Sequence, residues 1–209
     1  MNKRFIAPFF ILVSLYTYSQ KVYVNMGKNY TNYRFVNTQN ITSRTSQNEG
    51  NSYEFGYLSR RKKDFHRLSY ELGLSLNEFN SILKAPQDAV KYQTQYLGVK
   101  MGLDYRIIGG YHRDRFMVYL KGGVTANRFL YGKEDIYGKI YDLKTFDEFN
   151  KSIFMGYLGL HTNLIISENV SLVVGYNRAE SFLNTGNTSN QSLAFSANQF
   201  NIGLVFSVD

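Results

Sequence analysis

Hydrophobic and polar positions alternate most cleanly in residues 67–77, where Leu68, Tyr70, Leu72, Leu74 and Leu76 are interleaved with Arg67, Ser69, Glu71, Gly73, Ser75 and Asn77. Successive side chains of a strand point to opposite faces, so this period of two predicts a strand with one apolar and one polar or very small face. Residues 96–107 repeat it, with Leu97, Val99, Met101, Leu103, Tyr105 and Ile107 set against Tyr96, Gly98, Lys100, Gly102, Asp104 and Arg106. Residues 116–127 do so again: Phe116, Val118, Leu120, Val124 and Ala126 oppose Met117, Tyr119, Lys121, Gly123, Thr125 and Asn127. Fainter versions cover 22–35, 53–57, 152–166, 170–176 and 199–208, giving about eight strands. In 152–166 both faces are apolar, and the even-numbered residues are assigned outward. Runs of about eleven residues exceed the five or six usual in soluble sheets and match a tilted crossing of a bilayer.

The connections alternate as well. Linkers at about 36–51, 78–94, 128–151 and 178–198 are long, whereas those at about 60–64, 109–114 and 167–169 are short. Long loops on one side and tight turns on the other predict an all-β, eight-stranded antiparallel up-and-down transmembrane β-barrel with both termini in the periplasm. A soluble lipocalin-type barrel shares the alternation but turns its apolar face inward. The membrane form is favoured by strand length and by the glycines on the polar faces (Gly56, Gly73, Gly98, Gly102, Gly123, Gly175, Gly203), which suit a crowded lumen better than a solvated surface.

Composition narrows the classes. The chain has 209 residues, no Cys, no Trp, 18 Tyr and 16 Phe. Mean hydropathy is −0.32, which excludes a helical membrane bundle. Without cysteine there is no disulfide framework, thiolate metal site or thiol nucleophile. Residues 1–19 read as an export signal: Lys3 and Arg4, an apolar core over 5–15, and Thr17-Tyr18-Ser19 as a small-x-small cleavage site that leaves Gln20 first. Residues 20–209 then form the barrel domain. The net charge of +8 raises the question of nucleic acid. Apart from Lys3, Arg4 and the run Arg60-Arg61-Lys62-Lys63, however, the basic residues are scattered, with no binding module.

The carboxyl-terminal stretch Asn201-Ile202-Gly203-Leu204-Val205-Phe206-Ser207-Val208 resembles the terminal β-signal of outer-membrane proteins, with Asn201, Gly203, Phe206 and Val208 at its defining positions; Asp209 departs from the aromatic ending common in that family. The resemblance implies recognition by the barrel-insertion machinery and pairing with the first strand. Residues 23–35, which include Gly27, Asn29 and Thr31, resemble the first strand of the small porin-family and PorT-like β-barrel domains of Gram-negative outer membranes. Some members of that family serve in secretion machinery.

Candidate chemistry is sparse. The three histidines are His66 and His112, at short turns, and His161, within the sixth strand. A lipid-cutting barrel enzyme needs a His with a Ser near the outer rim, and none is placed there. Metal-ligand spacing is absent. Glu134, Asp135, Asp142, Asp147 and Glu148 lie among Tyr131, Tyr137, Tyr141 and Phe146, a mixture consistent with cation binding or a contact surface but simplest as a solvated loop with a hairpin extension of the fifth and sixth strands. Glu54, Glu71, Lys100, Asp104, Arg106 and Lys121 fall on inward faces and predict a lumen charge cluster. Hairpin pairing sets Glu54 opposite Glu71, Glu71 opposite Asp104, and Lys121 beside Lys100 and Gly102. The expected protein is a non-enzymatic integral outer-membrane barrel without cofactor or metal, acting as a membrane anchor, surface-interaction protein or subunit of an envelope assembly. Its expected partners are membrane lipid, the insertion machinery and an envelope or surface protein met through the long loops. A lipid-modifying acyl hydrolase or transferase is the alternative, followed by a narrow pore.

Overall fold

The computed structural model describes residues 19–37, 39–60, 67–84, 89–109, 115–182, 184–185 and 191–208. The export signal, save Ser19, lies outside them, as do Arg61 to Lys63, His66, His112 and Asp209.

Eight long strands close into a ring: β1 (Ser19–Asn37), β3 (Ser46–Arg60), β4 (Leu68–Lys84), β5 (Ala89–Ile108), β6 (Phe116–Ile136), β8 (Ile153–Ile165), β9 (Val170–Ser181) and β11 (Gln191–Val208). Each pairs antiparallel with its neighbour, and β11 returns to β1 in a ladder running from Gln20↔Val208 to Asn37↔Gln191. Three short strands, β2 (Thr42–Arg44), β7 (Lys139–Asp142) and β10 (Asn184–Thr185), pair onto the end remote from the termini. The eight-stranded up-and-down barrel expected from the alternation is the fold observed. In β8 the even-numbered Phe154, Leu158 and Leu160 are outward and Met155, Tyr157 and His161 buried, as assigned.

The outer wall carries an apolar band. Val24, Met26, Phe55, Leu72, Leu74, Val99, Met101, Leu158, Val174 and Ile202 are all exposed on it. Water-soluble proteins rarely expose so wide a continuous apolar surface, and in a closed antiparallel barrel this band is the face that meets lipid. Its upper limit is an outward belt of Lys28, Asn51, Glu78, Gln95, Arg128, Arg178 and Asn198, each on a different strand. Tyr53, Tyr176 and Phe200 stand one outward position below Asn51, Arg178 and Asn198, and Tyr70, Tyr105, Phe116 and Phe206 mark the edge nearer the termini, giving the two aromatic girdles of a membrane barrel.

Two sequence expectations are corrected. The long outer linkers are largely strand: β4 and β5 stay paired up to Lys84↔Ala89, so most of the 78–94 linker belongs to the sheet. Strands of 17 to 21 residues (β4 and β6) exceed the roughly nine to eleven that cross a bilayer, and the remainder stands above the membrane. There the alternation persists with inverted polarity. Phe79 and Ser81 of β4 and Tyr92 and Thr94 of β5 point inward, while Glu78, Asn80, Gln93 and Gln95 face water. The second correction is register. Glu54 faces Ser75, Glu71 faces Gly102, Lys121 faces Asp104 and Lys100 faces Thr125. The expected pairings were displaced by two or four residues. An even slip keeps every side chain on its face and changes only its partner.

Candidate functional site

The bore is filled by two layers of opposite character. In the layer nearer the termini, Glu54, Glu71, Lys100, Asp104, Arg106 and Lys121 are all buried, between 2% and 6% exposed. All six predicted residues are therefore buried in the bore, and Glu54, Glu71, Lys100 and Lys121 are joined by direct contacts other than those expected. Lys100 Nζ donates to Glu54 Oε1 at 2.7 Å and Lys121 Nζ to Glu71 Oε1 at 2.8 Å, with Lys100 4.0 Å from Glu71. Asn25 Nδ2 donates to the second oxygen of Glu54 at 3.4 Å, and the Tyr157 hydroxyl to that of Glu71 at 3.0 Å. Each ammonium also lies over a ring: Lys100 is 4.6 Å from the Tyr157 centroid and Lys121 is 5.5 Å from that of Tyr23. Buried charges are tolerable only when paired and hydrogen-bonded, and these two lysines are both.

Glycines make room for this layer. Gly56 pairs with Gly73 across β3 and β4, and Gly102 with Gly123 across β5 and β6. A Cβ on Gly56 would lie 2.6 Å from the Tyr23 ring and one on Gly73 2.4 Å from its hydroxyl oxygen; on Gly102 and Gly123 it would lie 2.0 and 2.6 Å from the Tyr157 hydroxyl oxygen. Each tyrosine lies across a bare glycine pair, an arrangement in which an aromatic ring covers exposed strand backbone. The glycines stand out on the polar faces of the sequence, whereas no period marks Tyr23 and Tyr157 as the rings they accommodate. The available signal was the coincidence of two Gly-Gly pairs once register is known.

His161 stacks on Tyr119, with centroids 4.9 Å apart, and its Nε2 lies 3.9 Å from Asp104 Oδ2. Ser69, Asp104 and His161 line one cavity of about 20 Å³. That is room for a single water and not for an acyl chain. Among the described residues, no group of His, Asp and Glu has the arrangement of a metal site.

The outer layer is an apolar core. Tyr33, Phe79, Tyr96, Ile153, Met155, Leu193 and Phe195 are all 2% exposed or less. Tyr33 packs edge-on to Phe195 at 4.6 Å and donates its hydroxyl to Phe79 O at 2.5 Å. Burial pushes the Tyr33 and Tyr92 hydroxyls well above their ordinary range, so both remain neutral donors. The segment after β7 closes the mouth. A 3₁₀ turn, Leu143–Thr145, buries Leu143, Phe149 inserts against Tyr92 and Tyr33, and Tyr96 donates to Phe149 O at 3.0 Å. This segment was expected to be a solvated loop. Its hairpin extension joins β6 to β7 and not to β8, whose pairing with β6 ends at Asn127↔Ile153, and Leu143 and Phe149 anchor the remainder inside the barrel. The acidic residues act locally: Asp135 accepts from Gly138 N and Asp142 from Lys144 N.

At the carboxyl terminus, Asn201 and Gly203 face the lumen and Phe206 and Val208 face lipid. Asn201 Oδ1 accepts from the Ser52 hydroxyl at 3.2 Å, and a Cβ on Gly203 would meet Asn25 and Val24 O. The closing strand is thus fitted to β1 and β3 by the residues that form the terminal signature.

An apolar outer band, two aromatic girdles and a closed antiparallel ring define an integral outer-membrane β-barrel. Solved barrels share this architecture. The outer membrane protein OprG from Pseudomonas aeruginosa aligns with a TM-score of 0.56 at 10% identity, over 92% of this chain and 97% of its own. Neisserial surface protein A aligns at 0.52 with 13% identity, over 90% and 97%. The Escherichia coli outer membrane protease OmpT aligns at 0.54 with 7% identity, over 91% and 97%. At these identities the likeness is one of fold. No family model matches the sequence. No curated protein matches it either.

Proposed function

We propose that the chain is a non-enzymatic, non-conducting outer-membrane barrel that presents the β6–β7 hairpin to a protein partner at the cell surface. The observation that carries this reading is Tyr137. It occupies the first central position of the two-residue reversal Tyr137-Gly138, with φ of 54° followed by 76° at Gly138. Turns with positive φ at both positions favour Asn, Asp or Gly, and a bulky side chain there is strained by about 1–3 kcal/mol. Tyr137 is nevertheless 69% exposed, and Ile140 and Tyr141 beside it are also exposed. An aromatic held at an unfavourable turn position, with no packing to compensate, suits contact with another protein.

The filled bore supports the same reading, because the paired charge layer and the aromatic layer occupy it with buried side chains. The resemblance of residues 23–35 to porin-family and PorT-like domains favours membership of an envelope assembly, and the match of Asn201, Gly203, Phe206 and Val208 to the terminal signature favours delivery by the insertion machinery. The test places a photo-crosslinking amino acid at position 137 in intact cells, with Gln93, also outward and above the membrane, as the comparison. The reading predicts a discrete protein adduct from position 137 that is absent from 93. Equal adducts from both, or none from 137, would contradict it.

A further inference from the structure

Above the lipid band, the wall formed by β9, β11, β1 and β2 contains a polar depression of about 280 Å³ bounded by Asn32, Arg34, Arg44, Arg178 and Ser196. The register brings these residues together: Arg34 pairs with Arg44, Asn32 with Ser196, and Arg178 with Asn198 one outward position below Ser196. Three guanidinium groups therefore share one patch, Arg178 in the membrane belt and Arg34 and Arg44 above it. Arg178 is engaged by Glu180, at 2.7 and 3.1 Å. Among the described residues, no carboxylate lies within ion-pair distance of Arg34 or Arg44.

On the other flank of β9, Arg178 and Glu180 also border an apolar groove of about 730 Å³ on the lipid face of β6, β8 and β9, walled by Leu120, Leu158, Leu160 and Tyr176. The groove is open at Gly156, an outward position without a side chain that lies opposite Val124 and Glu180. A Cβ on Gly156 would meet nothing within 4 Å, so the surface is open there.

We infer that this composite surface is a binding site for one lipid of the outer leaflet, with an acyl chain in the Gly156 groove and a phosphate-bearing headgroup against Arg34, Arg44 and Arg178. The inference rests on the membrane placement of the barrel and goes beyond the proposed contact at Tyr137. Guanidinium groups bind phosphate oxygens bidentately, and a groove continuous with the bilayer is entered by a chain without leaving hydrocarbon. Glu180 neutralises Arg178 in part and leaves Arg34 and Arg44 as the unopposed charges, so the headgroup is held on the β1 and β2 side of the patch. A free anion would use the arginines and ignore the groove.

The test is native mass spectrometry of the full mature chain, refolded in neutral detergent, titrated with dioleoyl phosphatidic acid, dioleoyl phosphatidylcholine or inorganic phosphate. The expected result is phosphatidic acid held about tenfold more tightly than phosphatidylcholine, as charge near an anionic headgroup contributes at this scale for one or two arginines. Arg34→Ala with Arg44→Ala should bring phosphatidic acid down to the phosphatidylcholine level. Gly156→Leu, which fills open space and leaves the fold intact, should weaken both lipids. Unchanged preference in the double arginine variant would overturn the inference. So would equal competition by inorganic phosphate together with no effect of Gly156→Leu, because the site would then be one for free anions.

Discussion

Lys121 lies directly opposite Asp104 in the β5–β6 ladder, yet its ammonium group passes over Gly102 to reach Glu71 on β4, 2.8 Å away. The diagonal is open because Gly102 and its partner Gly123 carry no side chains, and the Tyr157 hydroxyl, close to both, donates to the other oxygen of Glu71. The charge layer is therefore set by where the glycines fall as much as by where the charges fall.

Removing one member of this pair should leave the other buried and uncompensated. Glu71→Leu or Lys121→Leu is expected to destabilise the folded barrel by about 3–5 kcal/mol, less where lumen water relaxes around the remaining charge. The double variant should recover part of that loss, and Lys144→Leu in the outer segment should have little effect. Urea unfolding in lipid vesicles, followed by tyrosine fluorescence or circular dichroism, measures all four. Equal stability of the single variants and Lys144→Leu would contradict the pairing.

The glycine pairs predict a contrast between two identical substitutions. Gly102→Ala drives a methyl group to 2.0 Å from the Tyr157 hydroxyl oxygen and 2.9 Å from Gly122 O, whereas Gly156→Ala meets nothing within 4 Å. The first should cost about 1–3 kcal/mol as overpacking, and the second should stay within about 0.5 kcal/mol. The same unfolding assay decides it, and indistinguishable variants would mean that Tyr157 does not lie over the β5–β6 pair.

Much of this architecture is legible in the chain, and the remainder fails for identifiable reasons. Inside the membrane the outer face is uniformly apolar, so residues 67–77 and 96–107 display their period plainly, and Glu71, Lys100 and Asp104 fall on the correct side. Above the membrane the apolar residues move inside, water-facing Asn80, Gln93 and Gln95 take the other phase, and the segment reads as loop although Phe79 and Tyr92 continue the alternation. Register is less accessible still, since a slip of two residues preserves every face. Glu54 lies opposite Ser75 and not Glu71, four residues away on the same face. Leu143 and Phe149 were the only hint that the third outer segment folds back, and two apolar residues among charges carry no period.

Sidedness follows from the short turns and termini sharing one end. Because the chain has no cysteine, single reporters are unambiguous. Tyr141→Cys, on β7, should react with a membrane-impermeant maleimide in intact cells, and Ser167→Cys, in the turn before β9, only after the envelope is opened. The reverse order would invert the barrel and remove Tyr137 from the cell surface.

Easing the strain at the hairpin tip should separate stability from binding. Tyr137→Asn suits the left-handed turn and is expected to stabilise the hairpin by about 1 kcal/mol or leave it unchanged, while abolishing the surface adduct measured from a probe at neighbouring Ile140. Loss of the adduct with loss of folding would assign Tyr137 a structural role instead.

The central claim is that the bore is closed by two stacked layers, one ion-paired around Glu71 and Lys121 and one aromatic around Tyr33 and Phe195. Its most direct measurement is single-channel recording of the purified barrel in a planar bilayer, with insertion verified independently by maleimide labelling of Tyr141→Cys. The predicted result is inserted protein with no steady unitary current at any holding potential that the bilayer tolerates. Stable, reproducible open currents on the scale of a general porin would show a continuous water path through both layers and contradict the account.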